Sequence, residues 1–495
     1  MGKNEVAEKA PADAMRAVPE HLDLYYGGAW HKPAGGYQAT YNPANQQVLA
    51  DVAVANTEDI DAAVKAAHRG FLEWARIPAS EKGSMMREIA RRLRLHVDDL
   101  AWLDSANCGN PIKEMGRDVL AAAAHVDYYS GFVHELKGQT IPTSDGGLNY
   151  TLLEPLGVVA RIAAYNHPLM FTAAKFAPVL AAGNSVIMKA ATQAPLSSLR
   201  FAEIIDGILP PGVLNVVTGD RECGDALVRH ALVKKVALIG SVATGAAILR
   251  SAADKIMPVT LELGGKNPMV ICPDADVNKA VLGAIQGMNF TWAGQSCGST
   301  SRCFVHESLY EQVVDGIHRL LPQIHRCGVP TDPATTMGCL ISEAQFDKVA
   351  RYIDIAKSEG ARLVQGGKRP DDPALAKGWF MEATVFADVT PHMRIFKEEV
   401  FGPILSIIRW SDEDQLVADI NSVEFGLTAS IYTAQLALAH RLARRVEAGY
   451  VWINTTGAHY LGVPFGGYKK SGMGREEGMD EVLAYTQVKN VHVML

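Results

Sequence analysis

Apolar residues recur at three- and four-residue intervals through residues 60–74 and again through 82–101, with charged side chains between them. Each stretch predicts an amphipathic helix. Ahead of them, residues 24–30 and 41–44 are short extended pieces broken by Gly, Asn and Pro. Over residues 138–156 the pattern changes to Gly, Thr, Pro, Ser and Tyr with β-branched pairs, which reads as extended or hairpin structure outside a main sheet. Apolar and amphipathic runs then alternate: a strand at 158–165, a helix near 169–182, a strand at Ser185–Lys189, a helix at 196–209, and strands near Leu214–Val217 and 236–239. That alternation predicts an α/β fold with a parallel sheet and helical crossovers, the layout of nucleotide-binding sheets. Gly240-Ser-Val-Ala-Thr-Gly245 follows the last of these strands and opens into a helical run at 246–252, where free backbone N–H groups favour an anion such as pyrophosphate. The spacing departs from GxGxxG, and taken alone the segment is an ordinary strand-to-helix turn.

Composition narrows the class. The chain has 495 residues, 48% hydrophobic and 20% charged, enough for two or three packed domains. Its 47 Lys+Arg against 54 Asp+Glu give a net charge of −7, and without a basic block nucleic acid is not an expected partner. Seven cysteines, at 108, 223, 272, 297, 303, 327 and 339, show no CxxC spacing. They argue for reduced thiols in a cytosolic setting and against a disulfide framework or structural zinc, so no metal is expected. The first twenty residues carry Glu5, Glu8, Asp13 and Glu20 and lack an apolar core, unlike a signal or transit peptide. Val6 stands where a myristoylation site needs Ser or Thr, and Val493-Met-Leu495 matches no prenylation or peroxisomal tag. No apolar run reaches the roughly eighteen residues of a membrane span. The expected address is the cytoplasm.

Candidate chemistry gathers in two glycine-punctuated segments. Cys297 closes Phe290-Thr-Trp-Ala-Gly294-Gln295-Ser-Cys297, and Glu262 lies in Leu261-Glu262-Leu263-Gly264-Gly265-Lys266-Asn267-Pro268. A thiolate can attack an electrophilic carbon, and a partly buried carboxylate can activate the water that later releases the product. An isolated cysteine is more often a small buried hydrophobe. Here the adjoining glycines permit turns and a close approach of backbone to ligand.

These segments, with Pro155-Leu-Gly157-Val-Val-Ala-Arg-Ile162-Ala-Ala-Tyr165-Asn166-His167-Pro168, Gly240 to Gly245, Glu398-Glu399-Val400-Phe401-Gly402-Pro403, Asn421 to Thr433, and Pro464-Phe465-Gly466-Gly467-Tyr468-Lys469-Lys470-Ser471-Gly472, resemble the aldehyde dehydrogenase superfamily in its motif order. The resemblance implies a Rossmann-like cofactor domain (residues 20–137 and 157–262), an α/β catalytic domain (263–470), and a small β oligomerisation arm (138–156 and 483–495). It implies oxidation of an aldehyde to its acid with NAD or NADP. Cys297 is then the nucleophile, Asn166 and the Cys297 backbone N–H the oxyanion donors, Glu262 the base for thioester hydrolysis, and Lys175 a helper in thiol activation or proton relay. The same likeness assigns cofactor binding to Lys189, Thr192, Gly240, Ser241, Gly245, Glu399 and Phe401. Thr192 stands where many NAD-preferring relatives have Glu, which predicts that NADP is accepted and leaves the preference between NAD and NADP open.

By position, Phe171, Ala174, Phe290, Trp292, His459 and Tyr460 are expected to line the substrate channel, with His167 beside them. Ala174 replaces a bulky aromatic of many relatives, which points to a wider channel and a bulky or aromatic aldehyde, unless neighbours fill the space. Two rivals stand beside hydrolysis. One is a CoA-acylating dehydrogenase, whose members generally lack a glutamate at position 262; the other is a silent nucleotide-binding or structural member. The arm and the strand-like segment 488–494 expose edges that pairing between subunits would cover, so a homodimer or homotetramer is expected.

Overall fold

A computed structural model describes residues 17–144 and 146–494. The readings made above for the N-terminal leader over residues 1–16, and for Asp145 and Leu495 within the arm and terminal tag, lie outside the described residues.

The first helix, Thr57–Trp74, begins at a capping box: the Asn56 side chain accepts from the backbone of Glu58 and Asp59, and Asp59 reaches back to the Asn56 N–H. Its buried stripe of Ile60, Ala63, Val64 and Ala67 packs on Val158, Ile187 and Val217 of the sheet below. The continuous helix expected over 82–101 is two helices, Ala79–Leu95 and Val97–Cys108, joined where His96 leaves helical geometry at φ −112° and ψ 24°. The turn sends the second helix into the interior, where nearly every residue from Leu100 to Cys108 is buried. The helix expected at 169–182 is likewise divided into Pro168–Ala173 and Ala177–Ala181. Pro178 explains the break, since its ring has no N–H and collides with the carbonyl four residues back.

The strand expected at 158–165 ends at Ile162, and the helix expected at 196–209 ends at Ile205. Leu214–Val217 and Ser185–Lys189 match their expected limits. Five parallel strands form the centre of an eight-stranded sheet in the order Leu214–Val217, Ser185–Lys189, Val158–Ile162, Val233–Ile239 and Val259–Glu262. The chain first steps outward from Val158–Ile162 on one side, then returns to its other side with Val233–Ile239. That reversal opens a crevice at the carboxyl ends of these two strands, where sheets of this class bind ligands. A hairpin of Leu24–Tyr26 and Ala29–His31 borders one edge, and Gly472–Met473 adds antiparallel to Val259–Glu262 at the other.

A seven-stranded sheet follows, in the order Arg362–Gln365, Thr384–Ala387, Ile404–Trp410, Arg302–His306, Pro268–Ile271, Thr428–Tyr432 and Tyr450–Ile453, parallel except for its first pair. Only residues 263–267 separate Glu262 from Pro268, so the carboxyl end of the first sheet passes directly to the amino end of the second. A third, three-stranded sheet pairs Thr486–Val493 with Leu148–Pro155 in unbroken register, with Thr140–Pro142 on the far side. Among the described residues no helix is long and apolar enough to cross a membrane.

Candidate active site

Cys297 is carried on the segment between the short turn Phe290–Trp292 and the strand Arg302–His306. Asn289 and Ala293 hold left-handed φ values of 56° and 50°, a conformation that costs free energy in residues other than glycine. Gly294 follows at φ 68°, and a Cβ there would lie 2.2 Å from the Gly402 carbonyl oxygen. Asn267 fastens the far side: its Nδ2 donates to the Cys297 carbonyl at 2.7 Å and the Ser299 carbonyl at 3.0 Å, while its Oδ1 accepts from the Thr428 N–H at 3.0 Å. A Cβ on Gly265 would fall 2.3 Å from the Cys297 carbonyl oxygen. The loop is thus held by two glycine-only approaches and one asparagine.

Glu262 ends its strand at the junction of the two sheets. Both of its carboxylate oxygens are buried without a hydrogen-bond partner. Burial first, then the Glu476 charge, raises its pKa well above the carboxylate range, with Lys175 opposing. The Cys297 thiol is pushed up to about 12 by burial, then by Glu262 and Glu399. Both shifts favour the protonated form, a thiol beside a carboxylic acid.

One cavity of about 370 Å³ is lined by Cys297, Glu262 and Asn166 together with Lys189, Thr192, Gly240, Ser241, Glu399 and Phe401. Asn166 is anchored through its carbonyl, which accepts from Asn110 Nδ2 at 2.8 Å, and its side-chain amide has no protein partner among the described residues. Lys189 Nζ donates to the Gly219 carbonyl at 2.7 Å and lies 3.5 Å from Thr192 Oγ1, which itself donates to Gly219 at 2.9 Å. Ser241 caps the helix Val242–Ala253, which starts four residues before the run read from sequence, and the Gly240 N–H donates to the Glu262 carbonyl at 3.0 Å. Glu399 Oε1 accepts from the Gly265 N–H at 2.9 Å. Phe401 is held at φ 55° with its carbonyl accepting from Gln345 Nε2 at 2.7 Å. Gly245 is set apart from this lining: a Cβ there would meet Leu263 at 2.9 Å, so its smallness serves helix-to-strand packing.

Lys175 occupies the break made by Pro178, and its neighbours are carboxylates. Its Nζ lies 2.8 Å from Glu476 and 3.8 Å from Glu481. Arg161 shares both acids, at 2.9 Å and 3.3 Å, and also donates to the Tyr485 hydroxyl. Although burial alone would lower the pKa of Lys175, Glu476 and Glu481 outweigh it and keep the amine charged. Its charge favours the ionised form of Glu262.

The expected channel residues divide. Phe171 and Trp292 keep part of their surface exposed and flank His167 at ring distances of 5.4 Å and 5.2 Å. His459 pairs with Glu477 at 3.2 Å, and Tyr460 is largely exposed on the same loop. Ala174 and Phe290 have no exposed surface. Ala174 sits in the hydrophobic cluster that packs on the first sheet and Phe290 in the cluster of the second, so neighbouring side chains fill the space beside Ala174.

Sequence reasoning missed Gln345 and Lys348, which also line the Cys297 cavity, and the buried charged residues Asp118, Arg161, Glu476 and Glu481. Arg161 was hidden inside an apolar strand pattern. Arg475-Glu476-Glu477 has the look of a solvated charge run, yet both glutamates are buried. A strand residue that cannot be neutral was the available signal that buried acids must exist elsewhere.

A family model described as "Aldehyde dehydrogenase family" matches residues 30–491. Aldehyde dehydrogenase tropH of Talaromyces stipitatus is 48% identical over 486 residues, 97% of this chain and 94% of that protein. The solved NAD+ complex of an aldehyde dehydrogenase from Bacillus cereus is 38% identical with a TM-score of 0.93, covering 98% of each chain. A structure described as an E. coli NADP dependent enzyme is 32% identical with a TM-score of 0.93, covering 97% of this chain and 99% of that one.

Proposed function

This chain belongs to the aldehyde dehydrogenase family, and from that premise we propose that it oxidises an aldehyde to the carboxylic acid through a thioester on Cys297 that Glu262-activated water hydrolyses. The observation that carries this reading is the common cavity, in which a thiol, an acid and a free amide meet the ligand crevice of a parallel sheet.

The residues fit a dinucleotide. Lys189 and Thr192 lie at one side of the crevice for an adenosine ribose, Ser241 and the helix it caps offer N–H groups to a diphosphate, and Glu399 and Phe401 stand on the side nearer Cys297. When bound, NAD+ or NADP+ supplies the hydride acceptor. Thr192 brings no negative charge to repel a 2′-phosphate, and Lys189 adds a buried amine nearby, so the reading extends to NADP as an accepted cofactor.

Cys297 Sγ loses its proton as it attacks the aldehyde carbon, forming the carbon–sulfur bond of a tetrahedral hemithioacetal. Asn166 and the Cys297 backbone N–H donate to the oxygen that gains negative charge, and such a donor is worth on the order of a hundredfold in rate. After oxidation the acyl group is held as a thioester. Glu262, once ionised, takes a proton from water, which attacks the acyl carbon and expels the Cys297 thiolate. Because Glu262 and Cys297 both have raised pKa values, turnover rises from neutral toward alkaline pH.

A flat or aromatic aldehyde is favoured by the rings of Phe171, His167 and Trp292, and not by Ala174, whose surroundings are filled. The sheet of Thr486–Val493 and Leu148–Pro155 leaves Leu148, Leu152 and Val488 exposed, which favours its use in pairing subunits of a homo-oligomer. Spectrophotometric formation of NADH or NADPH from an aldehyde panel, with Cys297→Ala as control, tests the reading. Reduced cofactor at equal rates in both proteins defeats it.

A further inference from the structure

His167 follows Asn166 directly, so their Cα atoms are about 3.8 Å apart, yet only Asn166 lines the cavity that holds Cys297 and the cofactor crevice. The imidazole belongs to a different wall. Its Nδ1 lies 2.6 Å from Asp118 Oδ2 on the buried face of the helix Ile112–Ser130. His167 and Asp118 keep 13% and 11% of their side-chain surface exposed, so the pair borders open space. With Nδ1 engaged, the Nε2 edge is left for a ligand and has no protein partner among the described residues.

Two aromatic rings stand edge-on to this imidazole. Phe171, one helical turn onward, is at 5.4 Å with planes inclined by 67°, and Trp292, five residues before the nucleophile, is at 5.2 Å and 62°. Trp292 Nε1 is buried with no hydrogen-bond partner. A buried donor in that condition costs free energy until something accepts from it. An unused indole N–H and an unpartnered imidazole edge thus lie together among flat rings.

We propose that His167, held by Asp118, and Trp292 form an oxygen-recognising subsite that selects flat aldehydes bearing a hydroxyl or ionised oxygen close to the aldehyde carbon. The closeness follows from chain position, because the imidazole is adjacent to Asn166 and the indole shares the Cys297 segment. The acceptor character follows from the donors offered. Burial opposes a charged imidazole, but Asp118, then Asp104 and Glu114, outweigh it and raise the His167 pKa, which favours the imidazolium, the form in which Nε2 donates while Nδ1 faces Asp118. This inference rests on the aldehyde-oxidising function proposed above.

The test compares kcat/KM for 2-hydroxybenzaldehyde and benzaldehyde, alongside calorimetric binding of 2-hydroxybenzoate and benzoate to the unliganded protein. The hydroxylated member of each pair is favoured at least about tenfold, chiefly through KM, as befits a charge-assisted hydrogen bond. In His167→Phe, Asp118→Asn and Trp292→Phe the ratio falls toward one. Trp292→Phe keeps an aromatic face and removes the N–H with part of the indole, and because benzaldehyde meets the same altered wall, the ratio still answers where the other two are poorly folded. A ratio near one in the unaltered protein, or a full ratio retained in all three variants, overturns the inference while leaving aldehyde oxidation standing. Absence of Cys297-dependent turnover with either aldehyde overturns the function itself and this subsite with it.

Discussion

Replacing Glu476 with Gln separates the electrostatic role of the buried network from its packing. Glu476 bonds Arg161 at 2.9 Å and Lys175 at 2.8 Å, and all three side chains are at least 95% buried. The amide keeps the shape and removes the charge, leaving two buried cations to share Glu481, which is 3.3 Å from Arg161 and 3.8 Å from Lys175. Breaking a buried pair by removing one partner costs about 3–5 kcal/mol. The surviving Glu481 puts the expected loss near the lower end of that range. The effect on Glu262 has a definite sign. Glu476 is the leading charge that keeps Glu262 protonated, so its removal lowers the Glu262 pKa and moves the rising limb of kcat toward lower pH, by about one unit for each 1.4 kcal/mol of repulsion relieved. Lys175→Met does the reverse, since the amine favours ionised Glu262. Denaturant unfolding and kcat profiles from pH 6 to 10 on the three proteins give the comparison. Equal denaturation midpoints, or limbs that shift in the same direction in both variants, refute the reasoning. The stability share of Glu476 has its own pH window: burial opposes ionisation, but Arg161 and Lys175 outweigh it and lower the pKa, so its contribution is present above the ordinary carboxylate pKa and is lost as pH falls through the depressed value.

Thr192→Glu places a carboxylate beside Lys189 and is expected to lower kcat/KM with NADP at least about tenfold relative to NAD, by like-charge repulsion of a 2′-phosphate; an unchanged ratio removes Thr192 from cofactor choice. Gly265→Ala forces a Cβ to within 2.3 Å of the Cys297 carbonyl oxygen, so the nucleophile loop must move and kcat falls about a hundredfold or more while circular dichroism stays native; near-normal kcat contradicts the tether. With the thiol pushed up to about 12, alkylation of Cys297 in the protein without cofactor rises about tenfold per pH unit between 7 and 10; a plateau near neutrality shows a thiolate that burial does not allow.

The groups proposed to react stand out in the sequence because each is bracketed by residues that only an unusual backbone tolerates. Gly294 beside Cys297 and Gly264-Gly265 beside Glu262 are packed so closely that a Cβ would collide. The alternation of strands and helices from Val158 onward likewise follows from burial on both sheet faces. What escaped was long-range. Arg161 and Glu476 are 315 positions apart, so no local pattern joins them, and Glu476 is indistinguishable from a surface acid until the fold is known. The kinks at His96 and Pro178 escaped for different reasons. The apolar period runs unbroken through His96, whereas Pro178 was a readable breaker whose consequence, the placing of Lys175 among acids, depended on the C-terminal segment. Ala174 left two readings open, a wider channel or space filled by neighbours, and its full burial in the core favours the second.

Everything turns on Cys297 becoming acylated. Glu262→Gln, which retains the thiol and lacks the base, incubated with aldehyde and NAD(P)+ and then analysed by peptide mass spectrometry, is expected to carry the acyl mass on Cys297 at near-stoichiometric level. An adduct on a different side chain, or turnover that persists undiminished in Cys297→Ser, contradicts the account.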